Sequence, residues 1–294
     1  GQGQGEGQGQ GLSPEPGPCG SLYGLDLETR LSFRSDFALG APCGGPPLHL
    51  VVGDVVDDGP VTWQSIALPQ VSCRVANSRA HLRWERAAFS IDRDRVVVEA
   101  SDPAFAFERH FNPVLSLVVG ARGGLALHAF TVRLAEVTIA VCGRSGYGKS
   151  SLGLALLDRG AALVGDDLLA IDDTDLVHPG PGFIRLESDD RSEWDPGGKR
   201  RISVAAQTEP VGLDAVVVLE RGRDGIEPLD RPMDAVQALV QQIYNPVVLD
   251  DEMRQRNLDH VARLAGSTPV IAVPRHHAPP DELADRVLGR LSLT

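Results

Sequence analysis

Apolar positions in the first third of the chain come in short runs. Residues 48–56 are apolar and β-branched and close on Asp57-Asp58-Gly59-Pro60. Residues 79–89 alternate loosely through His81, Leu82, Arg83, Trp84 and Glu85, and 95–99 form a β-branched run after Asp92-Arg93-Asp94. Short strands at this spacing, separated by turn residues, predict a small β-rich N-terminal domain over residues 21–105. The pattern then changes. Residues 104–120 carry Val114, Leu115, Leu117, Val118 and Val119 at helical spacing. Residues 125–132 and 137–142 read as two strands of a hairpin turning at 134–136, the second apolar almost throughout and therefore buried on both faces.

Strands and helices alternate from there on. Residues 149–159 predict a helix ended by Gly160, and 161–164 a strand closed by Gly165-Asp166-Asp167. A turn-rich stretch covers 172–199, and 213–219 is a further apolar strand. Residues 233–244 predict an amphipathic helix with Met233, Val236, Leu239, Val240 and Ile243 on its buried face. Residues 254–264 and 281–291 are further helices. The fold class expected is α/β, with residues 106–294 as the second domain, a boundary near 100–110 and no internal repeat. A chain of 294 residues accommodates two modest domains. Residues 1–20, Gly/Gln repeat and then Pro-rich, have almost nothing to bury and are expected to be a disordered tail. They read as a linker or as a remnant of processing or engineering, since the chain starts with Gly.

A hydrophobic fraction of 42% is ample for a core. The formal charge of -12, from 28 basic and 40 acidic side chains, argues against nucleic-acid binding through a broad basic surface. Such a chain must hold an anionic ligand by a local device. The four cysteines form no CxxC pair and no zinc-spaced cluster with histidine, so they read as reduced thiols of a cytoplasmic protein. No apolar run approaches the roughly 18 residues that cross a membrane, and the N-terminus lacks a signal-peptide pattern.

The local device is at residues 143–150, which satisfy G-x-x-x-x-G-K-[ST] between a buried strand and a helix. Glycines let successive backbone N–H groups curl toward phosphate oxygens, and the helix start adds unpaired N–H groups and its positive dipole end. The nucleotide-binding candidates are Gly143, Ser145, Gly146, Tyr147, Gly148, Lys149, Ser150 and Ser151. The expected ligand is ATP with Mg²⁺. Lys149 would reach the β- and γ-phosphates, while Ser150 would hold the metal. Asp166 and Asp167, after the next strand, can bind Mg²⁺ and accept a proton from an attacking hydroxyl. Two adjacent carboxylates repel, which favours a metal or a raised pKa on one of them. His128, in the first strand of the hairpin, is of a type more often found as a hydrogen-bonded core residue.

Leu127-His128-Ala129, the loop through Ser151, Arg159-Gly160 and Leu163-Val164-Gly165-Asp166-Asp167 together resemble the catalytic domain of the HPr serine kinase/phosphorylase family. The resemblance covers residues 120–172 well and 173–220 loosely. It implies an α/β phosphate-loop domain related to phosphoenolpyruvate carboxykinase and ATP-dependent phosphorylation of a serine hydroxyl. It also implies that Asp166 and Asp167 divide the roles of base and metal partner, with Asp166 favoured as base, Asp167 beside Ser150 on the metal, and His128 supporting the pair. The family's Glu-x-Arg-Gly-x-Gly signature is missing, since the corresponding stretch begins Arg185-Leu186-Glu187-Ser188. Lys199, Arg200 and Arg201 could supply the missing positive charge. The layout is similar to divergent members of peptide natural-product pathways, some resembling lasso-peptide tailoring kinases. The expected partner is therefore a peptide or small protein, which the N-terminal region could dock by strand addition, with oligomeric state left open. A small-molecule hydroxyl kinase and a non-catalytic ATP-sensing module share the same motifs.

Overall fold

The structure, a computed structural model, describes residues 18–35, 37, 39–56, 61, 63–64, 71–76, 79–186, 199–220, 225–244, 249–274 and 278–292. The expectations for residues 1–17, for the turn at 57–60 and for 187–198 lie outside the described residues.

The architecture is mixed α/β with several sheets. The N-terminal part forms β1 (Pro18–Leu22), β2 (Leu25–Thr29), β3 (Leu48–Val52), β4 (Trp63–Gln64), β5 (Ser72–Ala76), β6 (Arg79–Trp84), β7 (Ala87–Ile91) and β8 (Arg95–Ala100). These make one eight-stranded sheet in the order β1-β2-β3-β8-β7-β6-β5-β4. The run read as one strand over 79–89 is two, because exposed Glu85 and Arg86 form a turn and let Trp84 pair with Ala87. Helix α1 (Pro103–Ala121) follows, capped by the Asp102 side chain on the Phe105 N–H. It is buried on nearly every side, and one hydrophobic cluster runs from Leu22 and Leu50 of the sheet through Phe107 and Phe111 to Phe183 and Val261. Such all-round burial makes α1 a shared wall.

Beyond α1 come β9 (Leu125–Leu127), β10 (Ala129–Leu134), β11 (Val137–Gly143), α2 (Lys149–Leu157), β12 (Ala162–Gly165), β13 (Leu169–Ile171), β14 (Leu176–His178) and β15 (Phe183–Leu186). After them follow β16 (Arg200–Ser203), β17 (Val211–Gly212), β18 (Ala215–Glu220), β19 (Glu227–Pro228), α3 (Pro232–Val240), α4 (Asp251–Ser267), β20 (Val270–Pro274) and α5 (Pro280–Arg290). The main sheet has the order β12-β10-β11-β18-β20-β19, with β11, β18 and β20 parallel. A smaller sheet has the order β17-β14-β13-β9, and β15 pairs with β16.

Several expectations change here. The strand over 125–132 breaks at His128, so that β9 joins the smaller sheet and β10 the main one. The stretch read as turns contains β14 and β15, too short and too mixed in pattern to announce themselves. Helix α3 ends at Val240 rather than 244, and Met233 is 73% exposed, because the face that packs inward is Ala235, Ala238 and Leu239. Among the described residues no helix is long and apolar enough to cross a membrane.

Candidate active site

Strand β11 lies inside the main sheet between β10 and β18, and the glycine loop leaves its carboxyl end, where ligands of parallel sheets bind. Gly143 sits at φ +148° against Leu219, whose Cβ a side chain here would approach to 3.1 Å. Gly146 and Gly148 also have positive φ, but nothing lies within 4 Å of where a Cβ would stand. Their freedom therefore shapes an open concavity. Helix α2 begins at Lys149 without a side-chain cap, which leaves its first N–H groups for a ligand. Its body packs flat on β10, since a Cβ at Gly153 would strike the Phe130 ring at 2.2 Å.

Lys149 is buried, and its ammonium donates to the Gly143 carbonyl at 2.8 Å. Burial pulls its pKa down, against the opposing pull of Asp167, Cys142 and Asp166. These contacts hold the head at the loop mouth, poised for an anion. A cavity of about 430 Å³ opens there, lined by His128, Ser145, Gly146, Gly148, Lys149, Ser150, Ser151, Asp166, Asp167, Arg185 and Lys199, with Phe130 and Leu186. Thus the structure gathers His128, Lys149, both aspartates and most of the loop around one space. Tyr147 and Gly143 are the exceptions among the loop candidates: Tyr147 faces a smaller neighbouring hollow with Leu219, Ala278, Pro280 and Leu283. Gly143 lines a third hollow with His128, Gln242 and Tyr244.

The two carboxylates differ sharply. Asp167, at φ +75°, accepts on Oδ2 from Asn112 Nδ2 at 3.0 Å and the Tyr244 hydroxyl at 3.0 Å, with the Arg185 guanidinium at 3.5 Å. Its Oδ1 is 3.4 Å from His128 Nδ1. Burial pushes this carboxyl up, but His128, Arg185 and the two hydrogen bonds outweigh burial and hold it below its ordinary range. Asp166 accepts one backbone N–H, from Arg185 at 2.9 Å. Burial, opposed by that bond and reinforced by its charged neighbour, raises it to about 6. One carboxylate is thus fixed and ionised, and the other is basic enough to take a proton near neutral pH. For His128, burial pulls the imidazole down more than Asp167 pushes it up, so it stands beside the carboxylate largely neutral.

Sequence reasoning missed the residues that hold this arrangement. Gln242 accepts from the Gly143 N–H through its side chain at 3.0 Å and from the His128 N–H through its carbonyl at 2.7 Å, pinning loop and β-break together. Asn112, Tyr244 and Arg185 carry no local motif, although a buried Asn or Gln in an apolar helix is itself a signal of a polar partner. Of the basic triplet, Lys199 lines the cavity and Arg200 is exposed. Arg201 is instead buried, bonded to Glu108 at 3.1 Å and stacked over Phe37 and Phe183, a structural role.

Among the described residues no group of three His, Cys, Asp or Glu side chains forms a self-sufficient metal site. A divalent cation here would need phosphate oxygens beside one or two protein ligands, the usual situation for Mg²⁺. The Ser150 hydroxyl and the Asp167 carboxylate both face the cavity and fit that demand.

No protein-family model matches the chain, and no curated protein matches it either. The chain is structurally similar, distantly, to the solved HPr(Ser) kinase/phosphatase from Coxiella burnetii. The two share 19% identity over 57% of this chain and 97% of that one, with a TM-score of 0.34. A likeness this loose carries no weight for the chemistry, which must stand on the site itself.

Proposed function

We propose that the chain is an ATP-dependent phosphotransferase that moves the γ-phosphoryl group to an alcohol hydroxyl, with a serine of a peptide or small protein as acceptor. A single observation carries the reading: one cavity is lined both by the phosphate loop, with Lys149 and Ser150, and by Asp166 and Asp167. A site that only binds nucleotide has no need of a carboxylate with raised basicity at that position. In the transfer, the acceptor oxygen forms a bond to the γ-phosphorus, its proton passes to Asp166, and the β–γ bridging bond breaks to release ADP. Lys149 neutralises phosphate charge, and Lys199 and Arg185 add positive charge on the cavity wall. Ser150 and Asp167 would hold Mg²⁺, which when bound offsets the charge of the phosphates.

The resemblance of residues 127–129, 143–151 and 159–167 to the HPr serine kinase/phosphorylase family supports a phosphate-loop domain of the HPr kinase/phosphoenolpyruvate carboxykinase type. It also supports a serine acceptor, a lasso-type precursor peptide included. The basic wall formed by Lys149, Arg185 and Lys199 favours a second reading, a small acidic molecule bearing a hydroxyl. Incubation with γ-labelled ATP, Mg²⁺, serine-ending peptides and small hydroxy acids separates the two. Label on a peptide serine supports the first and label on the small molecule the second. Tight ATP binding with no label on any acceptor points to a nucleotide sensor instead.

A further inference from the structure

Tyr23, in the turn between β1 and β2, lies far in sequence from the cavity, yet it ends beside it. The residue is 2% exposed and adopts φ +55°, a left-handed conformation that costs a non-glycine residue. Its N–H donates to the Pro179 carbonyl at 2.8 Å. Its ring fills a socket that exists only because Gly180 lacks a side chain, with Gly165 at ordinary contact distance beside it. A Cβ at Gly180 would lie 2.5 Å from the ring, and one at Gly165, next to Asp166, would lie 3.6 Å from it. The neighbouring Gly24, also at positive φ, lies flat on His178, where a Cβ would come within 2.5 Å of the imidazole. The N-terminal sheet is therefore plugged into the layer that carries the acidic turn.

From this socket the Tyr23 hydroxyl donates to Asn112 Oδ1 at 3.0 Å, and Asn112 Nδ2 donates to Asp167 Oδ2 at 3.0 Å. The direction of the chain is forced. An ionised carboxylate only accepts, so the amide must turn its NH₂ group to Asp167 and its oxygen away. Asn112 is 1% exposed, and that oxygen needs a donor. Tyr23 is that donor. Removing the hydroxyl leaves a buried acceptor empty and removes the reason for the amide to keep its NH₂ on Asp167. Asp167 itself sits at φ +75°, so both ends of the relay are residues in the left-handed region.

We infer that Tyr23 is a positioning residue which, through Asn112, fixes the orientation of the Asp167 carboxylate, so that the N-terminal sheet sets the competence of the acidic turn. This rests on the phosphotransferase reading for its kinetic consequence, but not for its geometric one. Tyr23 does not line the cavity and leaves the phosphate loop untouched.

The test uses the full chain with Tyr23→Phe, which keeps the ring in the glycine socket, and Asn112→Ser, which cuts the relay at its centre. Turnover is followed with γ-labelled ATP and Mg²⁺, with transfer to water or to a serine peptide, and crystal structures of both variants are compared with the parent. The expected result is a kcat lower by roughly tenfold for Tyr23→Phe with KM for ATP unchanged. The double variant should be no worse than Asn112→Ser alone, and the Asp167 carboxylate should be rotated off its Asn112 and Tyr244 partners in the Tyr23→Phe crystal. A kcat within twofold of the parent, or losses that multiply in the double variant, overturns the inference, as does an Asp167 carboxylate that has not moved. If the parent itself turns over no ATP, the phosphotransferase reading fails, and the Asp167 position in the Tyr23→Phe crystal decides the positioning claim alone.

Discussion

The phosphate loop and the acidic turn wall the same cavity but are built in opposite ways. The loop is nearly self-contained, with its glycines, its lysine and its helix start inside eight consecutive residues, and Lys149 bonding back to Gly143. The acidic turn supplies only two carboxylates. What distinguishes them comes from elsewhere: Asn112 from 55 residues before Asp167, Arg185 from 18 after it and Tyr244 from 77 after it. A local device can be moved from fold to fold intact, whereas a pair of carboxylates with divided roles needs a particular tertiary shell.

That contrast can be broken from either side. On the loop side the largest effect is expected from Lys149→Met, which strips the loop of its charge. Phosphoryl transfer should fall by roughly 10²–10³-fold, with little change in melting temperature. Next comes Tyr244→Phe, which takes one of the donors from Asp167. About a tenfold loss of kcat is expected with ATP affinity unaltered, read from steady-state kinetics beside equilibrium binding of ATP. Equal losses in binding and turnover would erase the distinction between the two walls.

Asp166 gives a smaller, thermodynamic signature. Its folded-state pKa is raised from 3.8 to about 6, so the folded chain binds this proton more tightly than the unfolded one. The stability so gained is full below about pH 4 and is lost as pH rises through about 6. Asp166→Asn, which imitates the protonated carboxyl, should therefore raise the stability of the metal-free protein at pH 8 by on the order of 1–2 kcal/mol, and change it little at pH 4. Thermal melts at the two pH values check it. The smallest effect is expected at Lys199, an exposed cation on the cavity rim: Lys199→Ala should cost roughly two- to fivefold in transfer, and less in high salt.

The same contrast explains what could be read from the sequence. The loop, the strand before it and the helix after it were legible because each is local and periodic. The acidic pair was legible as a position after a strand, and repulsion already implied that the two carboxyls would differ, but the contacts that decide which one is raised were not legible. Neither the break of the strand at His128 nor the bracket made by Gln242 leaves a local trace, since both arise where two sheets part and α3 meets the loop. In the Lys199–Arg201 triplet, Lys199 precedes β16 while Arg201 lies within it. Arg201 meets Glu108 and two phenylalanine rings while Lys199 reaches the cavity, a difference made by tertiary contacts that no local pattern announces. Met233 misled because an apolar side chain at the right helical angle sits one turn too early, at the exposed start of α3.

The division of labour between the two aspartates is the central claim, and the pH dependence of transfer tests it most directly. The rate from γ-labelled ATP with Mg²⁺ should rise with pH through a midpoint near 6 as Asp166 loses its proton. Asp166→Asn should remove both the rise and roughly 10²–10⁴-fold of the rate. A pH profile that is unchanged in Asp166→Asn, or a midpoint that follows Asp167→Asn instead, would contradict the account.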